Sequence, residues 1–172
     1  PGHGASHSDY ESKIIAGNIF DFTYVHGKAI KENGISFCSV SDESVENGDV
    51  ILTGYKLVDF IFGEEKKTPA PKYKDKIEFE VFPTLMRDLI SSYLNGGGKL
   101  FLSGAYIGTD LYSNPDSSGI RFANDILKFK LKTGHAVKMG NIFSVNNSFL
   151  PIKNTFEFNT TLNDSIYKVE AP

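Results

Sequence analysis

The chain has 172 residues, 40% of them hydrophobic, which fits a single globular domain that folds without disulfides or metal. Its net charge is −3, with 18 basic and 21 acidic residues interspersed, so nucleic acid is excluded as an expected partner. The apolar runs are too short for a transmembrane helix, and the single cysteine, Cys38, excludes an internal disulfide.

The first half of the chain alternates between strand-like and helix-like apolar patterns. Residues 1–10 are expected to form a flexible N-terminal segment, without methionine at the start, as in a mature product or an excised segment. The predicted elements are, in order, a buried strand (12–18), a helix (23–34), a second strand (35–40), a short capped helix (41–48) and a third strand (55–63). Spacing places Val25, Ala29 and Ile30 on the inner face of the first helix, and Cys38 in the core.

The second half continues the alternation and then changes character. The predicted elements are a charged loop (64–76), a brief pairing segment (77–82), a helix (83–98), a fourth strand (99–103), a second capped helix (114–129) and alternating antiparallel strands (128–133, 140–146 and 155–162). The apolar stripe of the first of these helices is Leu85, Met86, Leu89, Ile90, Tyr93 and Leu94, and that of the second is Ile120, Ala123, Ile126 and Leu127. Strands separated by helices predict an α/β fold with a mainly parallel sheet and right-handed crossovers, extended by antiparallel C-terminal strands. We therefore expect one domain over residues 11–172.

Ligands of open α/β sheets bind beyond the carboxyl ends of the parallel strands. The polar residues expected at that edge are Asn18, Asp21 and His26 after the first strand, Asp42 after the second, Glu64 and Glu65 after the third, and Ser103, Tyr106, Thr109 and Asp110 after the fourth. Asp42 is equally explained as a helix cap, Ser103 as a hydrogen-bonding residue at a strand end, and His26 as a packing histidine. Asp21, His26, Tyr106 and Asp110 remain the candidates for catalysis.

The fourth strand is followed by a glycine turn, Gly104-x-Tyr106-x-Gly108. In several α/β hydrolytic folds a strand followed by Gly-x-nucleophile-x-Gly lifts a serine or cysteine above the sheet. Tyr106 is a poor nucleophile at neutral pH, although a phenol in a tuned site serves as a general acid or base. The alternative is an aromatic side chain that packs over the sheet edge.

Neither a metal site nor a cofactor site is predicted. His3 and His7 have a spacing that binds metal only on a helix, and their glycine-containing terminal segment does not favour one. Gly96–Gly98 precede a strand, so they end a helix and do not form the phosphate-binding loop of a dinucleotide site.

The segments IIAGNIFDFTYVHGKAI, SFCSVSDESVENG, YKLVDFIFGEE and GGGKLFLSGAYIGTDLYSNP occur in this order. As a set they resemble a domain of large secreted bacterial proteins that are labelled xanthan lyase or amidase and carry a golvesin-type C-terminal module. The resemblance runs from about His3 to Tyr167. It implies a secreted or surface protein acting on polysaccharide or cell wall, of which this chain is a segment.

More distantly, the order of elements is similar to class I glutamine amidotransferases, which implies a three-layer, flavodoxin-like fold. In that family the strand-turn-helix elbow carries Gly-x-Cys-x-Gly, with His and Glu downstream. Gly104 and Gly108 match, whereas Tyr106 replaces the cysteine. His135 is the only downstream histidine, and Val137 stands where the glutamate of the His-x-Glu pair would be. Amide hydrolysis through a cysteine thioester is therefore rejected.

Two functions remain open. The first is a non-catalytic module that binds glycan or supports partner domains, with ligand contacts expected from Asn18, Asp42, Ser103, Gly104, Gly108 and Thr109. The second is a polysaccharide lyase or hydrolase that uses Tyr106 with His26 and an aspartate, Asp21 or Asp110. A lyase also needs a cation, and the two arginines, Arg87 and Arg121, are expected on helices. An open sheet edge predicts pairing into a homodimer.

Overall fold

The computed structural model describes residues 22–63, 65–69, 77–113, 117–137, 139–142, 155–157 and 170. The helices are α1 (Phe22–Glu32), α2 (Asp42–Glu46), α3 (Thr84–Asn95), α4 (Ile107–Tyr112) and α5 (Ser118–Arg121), and the strands are β1 (Leu57–Ile61), β2 (Thr68–Pro69), β3 (Ile77–Phe79), β4 (Lys99–Ser103), β5 (Asn141–Ile142) and β6 (Phe156–Glu157). The first predicted strand, with Asn18, and the predicted site residue Asp21 lie outside the described residues, as does Glu64. None of the described helices has the length and apolar composition that crossing a bilayer requires.

The described fold is mixed α/β and contains a parallel strand pair. β1 and β4 run side by side in register from Leu57 opposite Lys99 to Ile61 opposite Ser103, and α3 lies between them in the chain. The parallel orientation expected of the predicted strands is thereby confirmed for the third and the fourth. β2 pairs with β3, and β5 with β6, both antiparallel, so residues 77–79 pair as predicted, as do parts of the two last tail segments.

The two faces of the parallel pair differ in environment. Phe60 belongs to the core, against which Val58, Leu100 and Leu102 are partly buried. Because alternate side chains of a strand point to opposite faces, Asp59 and Phe101 lie on the other face. That second face is half-open, since Leu57 and Phe101 are each 56% exposed.

α3 supplies much of the core. The helix begins after Pro83 and ends at Gly96, and it buries Met86, Ile90 and Tyr93. The predicted stripe is right at these positions, but Leu85 is half exposed. The core continues beyond the helix through aromatic contacts: the ring of Phe82 lies 4.8 Å from that of Phe62 and 5.2 Å from that of Phe122, both edge to face.

The inner face predicted for the first helix is wrong. Val25 and Ala29 are exposed in α1, whereas Gly27 is buried and Ile30 partly buried. The reason is that the ring of Phe37 lies on Gly27, where an added Cβ would come within 2.8 Å of it. The helix is therefore rotated relative to the apolar pattern.

The predicted second strand is also wrong. Residues 35–40 form an irregular connection, in which Ile35, Phe37 and Val40 are about half exposed. Cys38 is exposed rather than in the core, and its Sγ donates a hydrogen bond to the Tyr55 hydroxyl over 3.2 Å. Among the described residues, no strand pairs with this alternating apolar segment.

The predicted helix at 114–129 is interrupted. Its first described turn is α5, and Phe122–Ile126 continue as a π-helical turn, closed by a hydrogen bond from Leu127 N–H to the Phe122 carbonyl. Ala123 is fully buried as predicted, while Ile126 and Leu127 are partly buried. Residues 128–132, predicted as the start of the tail strands, are irregular.

Candidate functional site

The loops that follow β1 and β4 meet at one edge of the sheet. Phe62 N–H donates to the Ser103 carbonyl over 2.9 Å, and Ala105 N–H donates to the Gly63 carbonyl over 2.8 Å. These bonds extend the parallel ladder into the loops. The glycine turn therefore begins directly beside the loop that leaves β1.

Glycine is favoured at the first position of the turn because neighbouring side chains leave no room for a Cβ there. A Cβ on Gly104 would lie 2.9 Å from the Cβ of Phe62 and 3.3 Å from the side chain of Ile107. Ser103, just before it, is partly buried as the last residue of β4.

Tyr106 occupies the position of a nucleophile in such a turn, but it is packed into the core. The residue is 8% exposed, and the Lys66 ammonium lies 5.4 Å from the centre of its ring. Its φ of −129° lies outside the left-handed region. The phenol is thus covered instead of standing above the sheet, which matches the packing alternative for this residue.

The backbone amides that follow the turn are held by a carboxylate from the far end of the chain. Glu170 accepts hydrogen bonds from Gly108 N–H over 2.6 Å and from Thr109 N–H over 2.8 Å, and the Thr109 hydroxyl also donates to it. A negative charge is favoured at this end of α4 because the first amides of a helix have no partner within the helix. Gly108 and Thr109 therefore bind a side chain of this chain with amides that have no partner within the helix.

Asp110 lies behind this contact and is partly buried. Its Oδ2 accepts a hydrogen bond from Lys67 N–H over 2.5 Å. Burial raises the pKa of Asp110 to about 6, an effect opposed by the amides of Lys67 and Val81 and reinforced by the nearby charges of Glu170 and Glu80. The Lys67 ammonium lies 3.6 Å from Glu80 Oε1. Asp110 is therefore a carboxyl whose charge is costly in this environment.

His26 is paired with Asp59 on the half-open face. Its Nδ1 donates to Asp59 Oδ2 over 2.7 Å, and the two side chains are 24% and 17% exposed. The Phe101 ring lies 6.2 Å from the imidazole, and the second oxygen of Asp59 is buried without a hydrogen-bond partner among the described residues. A carboxylate at Nδ1 fixes the tautomer and leaves Nε2 as a base, as in hydrolytic triads.

Asp42 belongs to α2 and not to β4, the turn or α4. It is the first residue of α2, after Ser41, and that helix packs against α3. Partial desolvation and the neighbouring Glu43 carboxyl raise the pKa of Asp42. Its position is that of a residue in the first turn of a helix.

The structure brings together some of the predicted site residues, whereas Asp42 lies on α2 and Asn18 and Asp21 lie outside the described residues. Ser103, Gly104, Tyr106, Gly108, Thr109 and Asp110 lie together on β4, the turn and α4. His26 contacts Asp59 and Phe101 instead of Tyr106 or Asp110. Sequence reasoning missed Asp59, although a charge inside the apolar run LVDFIF was a signal for it, and missed Glu170, for which spacing offers none.

In the described part of the chain, no three histidine, cysteine, aspartate or glutamate side chains cluster closely enough to hold a metal ion. No family model, curated protein or solved structure matches the chain.

Proposed function

We propose that this chain is a non-catalytic, amidotransferase-like module of a secreted protein that processes polysaccharide or cell wall, and that it binds glycan or supports partner domains there. The observation that carries the proposal is the closure of the glycine turn. Tyr106 is buried in the core, and the amides of Gly108 and Thr109 are bound by Glu170. A substrate at this turn would have to displace an internal carboxylate and uncover a packed ring.

The half-open face offers a surface for glycan. Phe101 is 56% exposed and lies beside His26 and Asp59. An aromatic ring supplies apolar area to the C–H groups of a sugar, while an imidazole and a carboxylate bind its hydroxyl groups. We place the glycan contact of the module on this face.

Phe101→Ala tests that assignment. We expect the wild-type protein to be retarded in gels that contain acidic polysaccharide, and Phe101→Ala to weaken the apparent affinity about fivefold. Phe156→Ala is the matched control, because Phe156 is also a half-exposed phenylalanine on a strand. Equal retardation of both variants, or no retardation of the wild type, would contradict glycan binding at this face.

A carbohydrate-active enzyme, lyase or hydrolase, is the second candidate, and the hydrogen bond between His26 and Asp59 favours it. This pair is arranged as a general base is, although the phenol of Tyr106 is not beside it. Arg87 belongs to α3 and Arg121 to α5, and both line a cavity that does not include His26, so neither is placed to balance a substrate carboxylate beside it. Release of new unsaturated or reducing ends from acidic polysaccharides that is lost in His26→Gln would support the enzyme. Turnover that is lost in Tyr106→Phe would equally overturn the non-catalytic module.

The proposal also covers the layers of the fold and the protein to which this chain belongs. We infer a three-layer, flavodoxin-like arrangement around the β1–β4 pair, within a longer secreted or surface protein. Pairing of two copies through an open sheet edge stays a prediction, and light scattering that shows only monomer at high concentration would count against it.

A further inference from the structure

A groove between α3 and α5 collects polar side chains that the proposed function does not use. The cavity has a volume of about 410 Å³, and its polar lining includes Thr84, Arg87, Asp88, Ser91, Arg121 and Asp125. The α3 residues follow the spacing i, i+3, i+4, i+7, which places them on one helix face. The size falls within the usual range of small-molecule sites. We call it the two-arginine groove.

The arginines are the first sign that this groove binds a ligand. Arg87 and Arg121 are the only arginines in the 172-residue chain, and both line this one cavity. Arginine presents a planar fork of donors that matches carboxylate and phosphate groups, which lysine does not. None of the lysines in the described part of the chain is among the residues that line this cavity.

Both guanidinium groups are held in place by hydroxyl groups. Arg87 is only 7% exposed, and its Nη2 donates to Thr84 Oγ1 over 2.8 Å. Arg121 is exposed, and its Nη1 donates to Ser117 Oγ over 2.9 Å. A guanidinium has five N–H donors, so Arg121 retains donors for a ligand after this bond. Fixing the forks in advance lowers the entropy that a ligand must offset when it binds.

The backbone of the groove is the second sign. Its α5 side includes the π-helical turn, from which Phe122, Asp125 and Ile126 face the cavity. Such turns are rare within helices and occur frequently at functional sites. The turn is fixed by Phe129 N–H, which donates to the Ala123 carbonyl over 3.0 Å.

The acidic residues limit the kind of ligand that fits the groove. Asp88 and Asp125 also line the groove, so two negative charges accompany the two positive ones. A simple anion would meet these carboxylates, whereas a molecule that carries both an oxyanion and hydroxyl groups would satisfy donors and acceptors together. We propose that the two-arginine groove binds a carboxylate or phosphate group carried on a hydroxylated small molecule. Its place as a glycan subsite rests on the proposed function, while the oxyanion chemistry rests on the arginines.

Isothermal titration calorimetry with matched probes tests this site. Glucuronate supplies a carboxylate and glycerol phosphate a phosphate, and glucose and glycerol are their neutral counterparts. We expect one or both charged probes to bind the wild-type protein more tightly than their neutral counterparts, and the one that binds identifies the oxyanion. Arg121→Ala should weaken that binding about tenfold. Arg121 is the residue to change because it is exposed, whereas loss of the buried Arg87 would also perturb α3.

Lys28→Ala is the control, since it removes one positive charge from exposed α1, outside the groove, and should leave binding unchanged. Charged probes that bind Arg121→Ala as well as the wild type, neutral probes that bind equally well, or no binding of any probe would each overturn the proposal. Retardation by polysaccharide that is as strong in Arg121→Ala as in the wild type would overturn the groove as a glycan subsite but leave the proposed function standing. Binding of a charged probe that depends on Arg121, with no glycan binding by the wild type, would leave the oxyanion site standing and overturn the glycan-binding part of the proposed function.

Discussion

Asp110 is the described side chain whose ionisation is most strongly altered by the fold. Burial raises its pKa from 3.8 to about 6, against two amide hydrogen bonds that lower it. Between these two values the folded protein holds a proton that the unfolded chain has released. Stability therefore falls as pH rises through this window, because the folded state binds more protons than the unfolded state.

Asp110→Asn should remove this dependence. Relative to the wild type, the variant should gain about 1 kcal/mol of unfolding free energy between the acid end of the window and neutral pH, a value discounted because part of the carboxyl contacts solvent. Urea denaturation of both proteins across that range measures it. Asp49→Asn, at an exposed position, is the control and should follow the wild-type profile. A constant difference between Asp110→Asn and the wild type at all pH values would show that Asp110 does not titrate as described.

At this scale sequence reasoning found residues but not their partners. His26 and Asp110 were predicted as site residues, yet the groups that hold them, Asp59 and the Lys67 amide, lie 33 and 43 positions away in the chain. The first of these hydrogen bonds depends on how α1 sits on the sheet, and the second on how the loop after β1 passes α4, which local spacing does not encode. The contact of the Phe37 ring with Gly27 belongs to the same long-range packing.

At the scale of elements, α3 combines a buried stripe with an exposed edge, and this makes a sharp internal comparison possible. Ile90 is fully buried, whereas Leu85, one and a half turns earlier, is half exposed. Ile90→Ala should lower the free energy of unfolding by about 2 to 5 kcal/mol, because it removes packed methylene groups and leaves a cavity.

Leu85→Ala is the matched control and should cost less than about 1 kcal/mol. Urea denaturation of Ile90→Ala and Leu85→Ala measures the two losses in the free energy of unfolding. Equal losses would mean that the helix faces the core with a different side.

The elements with strong local signals were predicted best. α3 follows a proline and ends at glycines, so it was placed within three residues at each end, and β4, a short apolar run bounded by lysine and serine, was placed correctly. Residues 35–40 have an equally apolar pattern but no strand, because burial of a strand needs neighbours that the pattern does not specify. The π-helical turn had no sequence signal either.

On the scale of the whole molecule, the parallel β1–β4 pair separates two environments. On one face α3 and the aromatic residues around Phe82 form the core, and on the other His26, Asp59 and Phe101 remain partly accessible. The glycine turn lies where the two strands end, and its helix amides are bound by Glu170. The alternation of strands and helices predicted this edge, but not the carboxylate that closes it, since the contact joins residues 61 and 62 positions apart.

Hydrogen exchange of the Gly108 and Thr109 amides, followed by NMR in the wild type and in Glu170→Gln, tests this closure most directly. If the Glu170 carboxylate binds both amides, they exchange slowly in the wild type and markedly faster in the variant, while the amides in the middle of α3 are unchanged. Amides that exchange as fast as those of an open turn in the wild type, with no response to Glu170→Gln, would show that the turn is open and would contradict a closed, non-catalytic module.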